Sequence, residues 1–93
     1  MSDKLTDLQV KILRTLREHK KKDTYKIFSM DTFYKTLPVE VEESRFREDL
    51  EILERHRYIV IVARMFGEKF PNYEITAKGI EYLRHLEEDL RKQ

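Results

Sequence analysis

Side chains that could catalyse a reaction or hold a metal ion are few in this chain and lie far apart. The three histidines, His19, His56 and His85, are scattered, and no two of them have the i, i+4 spacing of a helical ligand pair. There is no cysteine, which excludes a thiolate metal site, a cysteine nucleophile and disulfide bonds. Carboxylates such as Glu42 and Glu43 are adjacent in sequence, as solvated helix charges usually are. We therefore expect no enzyme, no metal and no cofactor, while a pocket for an effector needs no motif and stays open.

The charged residues are numerous and unevenly distributed. The 93 residues contain 19 Lys and Arg and 18 Asp and Glu, for a net charge of +1. Basic residues are in excess over 1–37 and 57–79, but residues 38–56 contain only three, Arg45, Arg47 and Arg55. The seven acidic residues of 38–56 are Glu40, Glu42, Glu43, Glu48, Asp49, Glu51 and Glu54. A polyanion would be repelled by this segment and attracted by its neighbours.

The length and composition predict a single domain over 1–93. Hydrophobic residues make up 40% of the chain, which is enough for a small core. No apolar run approaches the roughly 18–20 residues of a membrane span, and the start of the chain is not typical of a signal peptide, so we expect a cytoplasmic protein. Glu, Lys and Arg are abundant and Asn, Gln and Gly are scarce, which favours a thermophilic source.

Helical spacing of apolar residues predicts the elements of the first half. Leu8, Ile12 and Leu16 indicate a helix over 6–19, and Thr6 with Gln9 has the spacing of a capping box. A β-prone stretch predicts a short strand over 25–28. Ser29 can cap a second helix over 30–36, which a proline at position 38 ends.

The second half predicts a helix, a hairpin and a further helix. Phe46, Leu50 and Leu53 form a narrow apolar stripe over 42–56. A β-branched run over 58–63 and a second one over 73–75 predict two strands joined by a long tip. Thr76 opens a last helix over 76–91, in which Gly79 is tolerable if close packing is needed there.

This order of elements resembles the winged helix-turn-helix domain, an α+β fold, here with an additional C-terminal helix. Residues Leu53, Arg57, Tyr58 and Ile59 are similar to the family's exit from the recognition helix into the wing. The string from Ile75 to Gly79 looks like the Leu-Thr-x-Lys-Gly that opens the last helix in MarR-like and PadR-like regulators. The resemblance covers essentially the whole chain, and its size and composition are similar to those of small archaeal and archaeal-virus winged-helix proteins.

One departure from the family concerns the turn after the recognition helix. The family has a glycine there, whereas this chain has His56 and Arg57. A left-handed residue other than glycine costs about 1 kcal/mol, so we expect this turn to use a different geometry.

The resemblance implies sequence-specific binding of double-stranded DNA and a role in transcription regulation. The helix over 42–56 would enter the major groove, and the wing over 64–72 would lie on the backbone or minor groove. It implies base contacts from Ser44, Arg45, Arg47 and Glu48, and phosphate contacts from Lys35, Arg64 and Lys69. A glutamate such as Glu48 can accept a hydrogen bond from cytosine N4.

Alternatives remain for several of these residues. Arg45 could instead pair with Asp49, and Arg47 with Glu43 or Glu51, at helical neighbour spacing. In the wing, Phe66 and Phe70 are expected to fold back onto the core; otherwise they would meet a partner protein or wedge into a minor groove.

The last helix predicts self-association. Leu83, Leu86 and Leu90 extend an apolar stripe beyond what the core needs, and resembling regulators pair their terminal helices about a two-fold axis. We expect a homodimer, the alternative being that this helix packs only on the first helix of its own chain. The alternative to DNA binding is a winged-helix protein-protein interaction module that docks a partner through the acidic helix or the apolar wing.

Overall fold

The computed structural model describes residues 4–22 and 27–91, which form four helices and a two-stranded antiparallel sheet. The elements are α1 (Asp7–Lys21), α2 (Met30–Lys35), α3 (Glu43–Arg55), β1 (Ile59–Ala63), β2 (Asn72–Ile75) and α4 (Ala77–Arg91). The predicted α+β class is confirmed. In the described part of the chain, no helix has the length and apolar character needed to cross a membrane.

The three predicted helix caps, Thr6, Ser29 and Thr76, are confirmed; Thr76 Oγ1 accepts from the Gly79 N–H at 3.2 Å at the start of α4. Gln9 donates its backbone N–H to Thr6 Oγ1 at 3.2 Å, and its side-chain oxygen accepts from the Thr6 N–H at 3.0 Å. This pair is a complete capping box at the start of α1. At the start of α2, Ser29 Oγ accepts from the backbone N–H of Thr32 at 3.2 Å.

The strand predicted over 25–28 is not confirmed. Residues 25 and 26 lie outside the described residues, and Ile27 and Phe28 are not in a strand. Phe28 packs instead against the rings of His19 and Phe33, with centroids 5.3 and 6.0 Å away. Side-chain packing therefore takes the place of the strand pairing that its β-prone sequence favours.

Helix α3 ends with a left-handed residue that is not glycine. Arg57 has a φ of +67°. Its N–H donates to the Glu54 carbonyl at 2.9 Å, and the next N–H, of Tyr58, donates to the Leu53 carbonyl at 3.0 Å. These two bonds define a Schellman motif. The expectation of a different turn geometry was therefore wrong: the left-handed stop that usually takes glycine is formed here with arginine in the strained position.

The hairpin is antiparallel, as predicted. Ile59 pairs with Ile75 and Ile61 with Tyr73, and the register shifts between Ile61 and Ala63. The first pair points inward, and both of its side chains are buried. The hairpin is therefore held to the helices by one apolar face, as a half-buried sheet must be.

Close packing explains the glycine in the first turn of α4. A Cβ on Gly79 would lie 2.6 Å from the Tyr58 carbonyl oxygen and 2.7 Å from Ile75 Cγ1. That carbonyl accepts hydrogen bonds from both the N–H and the hydroxyl of Thr76. The end of the hairpin and the start of α4 therefore meet at one point with no room for a side chain, which is the condition under which the sequence made a glycine tolerable there.

Candidate nucleic-acid interface

A groove separates α3 from the hairpin loop (64–71), and we call it the α3–loop groove. Its floor is apolar and includes Leu50, Ile61 and Phe70. Its charged walls consist of Arg47, Glu51 and Glu54 from α3 and Arg64, Glu68 and Lys69 from the loop. Three of the cations predicted from the sequence thus come together from two separate elements. The same groove contains three carboxylates, so its formal charge is balanced.

Arg47 connects α3 to the loop. Its Nη1 donates to the Lys69 carbonyl at 3.2 Å, and its guanidinium lies over the Phe70 ring at 4.8 Å from the centroid. Its Nη2 is also 3.5 Å from a carboxylate oxygen of Glu43. A guanidinium that stacks and donates at once holds two elements in a fixed relation. Arg47 therefore positions the loop, in addition to any contact that its exposed part could make.

Glu43 forms ion pairs with Arg47 and Lys69, two of the residues predicted to contact DNA. The same carboxylate oxygen lies 3.5 Å from Arg47 Nη2 and 3.7 Å from Lys69 Nζ. The Glu43 side chain is 39% exposed and that of Lys69 is 67% exposed. Ion pairs this exposed contribute about 0–1 kcal/mol, so a phosphate oxygen could replace Glu43 at either cation.

Arg45 pairs with a buried carboxylate. Its Nε lies 3.9 Å from Asp49 Oδ2, and the other oxygen of Asp49 accepts from Gln9 Nε2 at 3.0 Å. Burial raises the pKa of Asp49, while the Gln9 hydrogen bond and the Arg45 charge oppose that shift. The sequence offered Glu43 or Glu51 as the partner of Arg47, and the structure has Glu43. The predicted pair of Arg45 with Asp49 is present.

The remaining predicted contacts lie outside the α3–loop groove. Ser44 and Glu48 are exposed one helical turn apart on α3. Lys35 is exposed in the last turn of α2. Apart from Lys35, the predicted DNA contacts belong to α3 or to the hairpin loop.

A polar network that the sequence did not reveal connects the start of α2 to the loop. The carboxylate of Asp31 accepts from the backbone N–H groups of Lys69 at 2.8 Å and Phe70 at 3.0 Å. Asn72 accepts from the Met30 N–H at 3.1 Å through Oδ1. The only sequence signals of this network were Asp31, an acidic residue in the first turn of α2, and Asn72, the chain's single asparagine, next to the predicted second strand. Neither signal identifies a partner about forty residues away.

The two phenylalanines of the loop have opposite environments. Phe70 is 2% exposed and contacts Phe46 edge to face, with ring centroids 5.0 Å apart, which confirms the prediction for this residue. Phe66 is fully exposed, at 107% of its reference area, so the prediction that it folds onto the core was wrong. The reason is that Phe66 stands at the tip of the loop, where the chain reverses.

Helix α4 packs on α1 through an ion pair and an apolar contact. Arg17 donates to both oxygens of Glu87, at 3.1 and 2.7 Å. The hydrogen bond from Arg17 lowers the pKa of Glu87, and the Arg17 and Arg14 charges act in the same direction. Leu83 is fully buried in the chain's own core, so it has no surface to offer a second copy. The prediction that Leu83 belongs to the dimer face was therefore wrong, and only Leu86 and Leu90 remain candidates for that face.

A second groove on the α1–α4 side contains the rest of that face. Leu86 and Leu90 line it together with Leu5, Val10 and Tyr82. Leu90 is 58% exposed and Leu86 is half-buried. An apolar surface with exposed leucines at the end of a helix is compatible with a helix–helix contact.

Comparison of the chain with protein-family models, with curated proteins and with solved structures gives no match. The winged-helix family therefore stays a resemblance that rests on the residues quoted above. The function has to be inferred from the chemistry of the two grooves and of the hairpin loop.

Proposed function

We propose that this chain is a winged-helix protein that binds double-stranded DNA in a sequence-specific manner and regulates transcription. Helix α3 would lie in the major groove, and the wing (64–72) would contact the backbone or minor groove. The observation that carries the proposal is the α3–loop groove, where Arg47, Arg64 and Lys69 converge from helix and wing.

The residues of α3 divide into two roles under this proposal. Ser44, Arg45 and Glu48 would face base edges because they are exposed on α3. Arg47 is largely committed to the loop and would act chiefly by holding the wing against α3. A wing fixed relative to the recognition helix presents phosphate contacts at a constant spacing, which sets the register on the duplex.

Phosphate contacts would come from Lys35, Arg64 and Lys69. All three side chains are exposed, and the Lys69 ion pair to Glu43 is long and weak. Each contact would add to the affinity without reading sequence, since phosphates carry no base information. Glu51 and Glu54 in the same groove would repel phosphates and so weaken nonspecific binding. The choice of DNA sequence would then depend on the base contacts.

A homodimer would complete the arrangement. Leu86 and Leu90 lie on α4 in the α1–α4 groove, and a two-fold contact there would present two α3 helices to one duplex. Light scattering of the purified chain at micromolar concentration should give twice the mass of one chain. A mass of one chain would rule this dimer out and leave DNA binding to be tested separately.

The salt dependence of affinity tests DNA binding. Fluorescence anisotropy with mixed-sequence duplexes, from about 50 to about 300 mM salt, should show a steep loss of affinity if several phosphates are contacted. Arg64→Ala and Lys69→Ala should each reduce the slope by about one, and Arg84→Ala on α4 is the matched control that should not. These variants are preferable to Arg47→Ala, which would also release the wing.

The opposite outcome would favour a different function. Absence of binding at low salt, or a flat response, would overturn the proposal. It would favour a protein-interaction module, because the exposed acidic residues of α3, Glu48 and Glu51, would then be free to meet a basic partner.

A further inference from the structure

The tip of the hairpin loop is a tight turn that presents an aromatic ring. The N–H of Glu68 donates to the Met65 carbonyl at 3.2 Å, and Gly67 has a φ of +87°. A positive φ at the third residue is the requirement of a type II turn. Phe66 is the second residue of this turn and is fully exposed, and Met65 beside it is 49% exposed.

The base of the loop is hydrogen-bonded to two helices. The Asp31 carboxylate accepts from two successive loop amides, at 2.8 and 3.0 Å, and Arg47 donates to the Lys69 carbonyl at 3.2 Å. The loop is therefore held from α2 on one side and from α3 on the other. An exposed ring on a fixed support loses little conformational entropy when it enters a partner.

The charges around the ring favour an anionic partner. Arg64 and Lys69 flank the tip in sequence and are exposed. The one acidic residue between them, Glu68, is turned to the base of the loop, where it accepts from Ser29 Oγ at 3.1 Å and from Asn72 Nδ2 at 2.9 Å. The tip thus presents an apolar ring with its own carboxylate withdrawn, while Lys69 Nζ, at the base of the loop, lies 3.7 Å from the partly exposed carboxylate of Glu43, a weak pair that a phosphate can replace.

We propose that Phe66 is a wedge that inserts between base pairs from the minor groove while the adjacent cations bind the flanking phosphates. This inference rests on the proposed DNA binding and assigns it a mode, namely local unstacking and bending of the duplex. Apolar side chains that enter the minor groove kink DNA by roughly 20–90°. A duplex supplies both the stacking surface and the anionic rim that this tip matches.

Affinity and bending measure the wedge directly. Base–aromatic stacking is lost in Phe66→Ala, so its affinity for a duplex should fall roughly 5- to 100-fold with an unchanged salt slope, because no phosphate contact is removed. Energy transfer between dyes at the two duplex ends should report a bend with the unmodified chain and with Phe66→Trp, but not with Phe66→Ala. Lys69→Ala, which changes the salt slope and keeps the ring, is the matched control.

Fluorescence locates the ring in the complex. The chain has no tryptophan, so Phe66→Trp introduces a single reporter at the tip, and His85→Trp introduces one at an exposed position of α4 outside the proposed dimer contact. DNA should quench the first indole and protect it from acrylamide, and should leave the second unchanged.

The failures of the two proposals are distinguishable. Salt-dependent DNA binding that is unchanged in Phe66→Ala, with an unquenched indole in Phe66→Trp, would overturn the wedge and leave DNA binding intact. Absence of DNA binding by the unmodified chain would overturn both. Protection of the indole only by vesicles of anionic lipid would also overturn the wedge and assign the tip to a membrane surface.

Discussion

Replacing Arg57 with glycine should stabilise the protein. Arg57 adopts a φ of +67° at the end of α3, a conformation that costs a residue with a Cβ roughly 1–2 kcal/mol. Glycine avoids this cost but loses about 0.5–1 kcal/mol more backbone entropy on folding. The backbone hydrogen bonds of the turn do not involve the side chain, so they are kept. The net expected gain in free energy of unfolding is about 0.5–1 kcal/mol, or roughly 2–8 °C in melting temperature.

Thermal and urea unfolding followed by circular dichroism would measure this gain. Arg55→Gly is the matched control, because it also removes one exposed arginine but places glycine inside the last helical turn, where it should cost about 0.5–1 kcal/mol. Arg57→Ala keeps the strained φ and isolates the loss of the side chain. A melting temperature of Arg57→Gly at or below that of the unmodified chain would refute the assignment of strain to this turn.

Three further substitutions test contacts described above. Gly79→Ala should lower the free energy of unfolding in urea by about 1–2 kcal/mol. The added Cβ would clash with the Tyr58 carbonyl, and the cost of this clash should exceed the free energy that alanine gains in helix propensity. Glu43→Gln should raise DNA affinity about 2- to 5-fold in anisotropy, because it releases two cations for phosphate. Glu87→Gln should cost about 1–2 kcal/mol near pH 7 by removing the charged partner of Arg17. Since the folded pKa of Glu87 is lowered, this stabilisation is present above its ordinary value near 4.3 and is lost as the pH falls through the folded pKa.

Matched controls separate these effects from general ones. Gly67→Asn should cost less than Gly79→Ala, because no atom lies within 4 Å of the added Cβ and asparagine tolerates a positive φ better than other residues with a Cβ. Glu40→Gln removes the same charge as Glu43→Gln from an exposed position near the start of α3. Glu88→Gln removes a carboxylate from α4 that pairs within its own helix and leaves the Arg17–Glu87 pair in place, so its stability should keep the pH dependence of the unmodified chain. Equal effects in a variant and its control would contradict the contact assigned.

Local signals were sufficient for the helices and for their first turns. The apolar stripes of α1 and α3 and the caps Thr6 and Ser29 depend on neighbours within four residues, and these were predicted. At Gly79 the sequence raised close packing only as a condition, since a glycine in a first turn costs helix propensity, and the structure supplies the packing. The hairpin followed from two β-prone runs around a breaker.

Long-range contacts decided what the sequence could not. Phe66 and Phe70 have the same side chain in the same loop, yet one is exposed and the other buried, because the turn at Gly67 and the hydrogen bonds of Asp31 fix which of them faces the core. Phe28 has strand propensity but packs through its side chain, and Ile27 beside it is exposed. In the candidate interface, the pairing of Arg47 with the loop depends on a partner more than twenty residues away.

The two hydrogen bonds that Asp31 accepts have a consequence for motion. Loop amides usually exchange with solvent almost freely, but those of Lys69 and Phe70 are bonded to a helix-borne carboxylate. These amides can open only when α2 and the loop separate. We therefore expect a displacement of the loop by a bound partner to pull on α2 through Asp31, and so to reach the core around Met30 and Phe33.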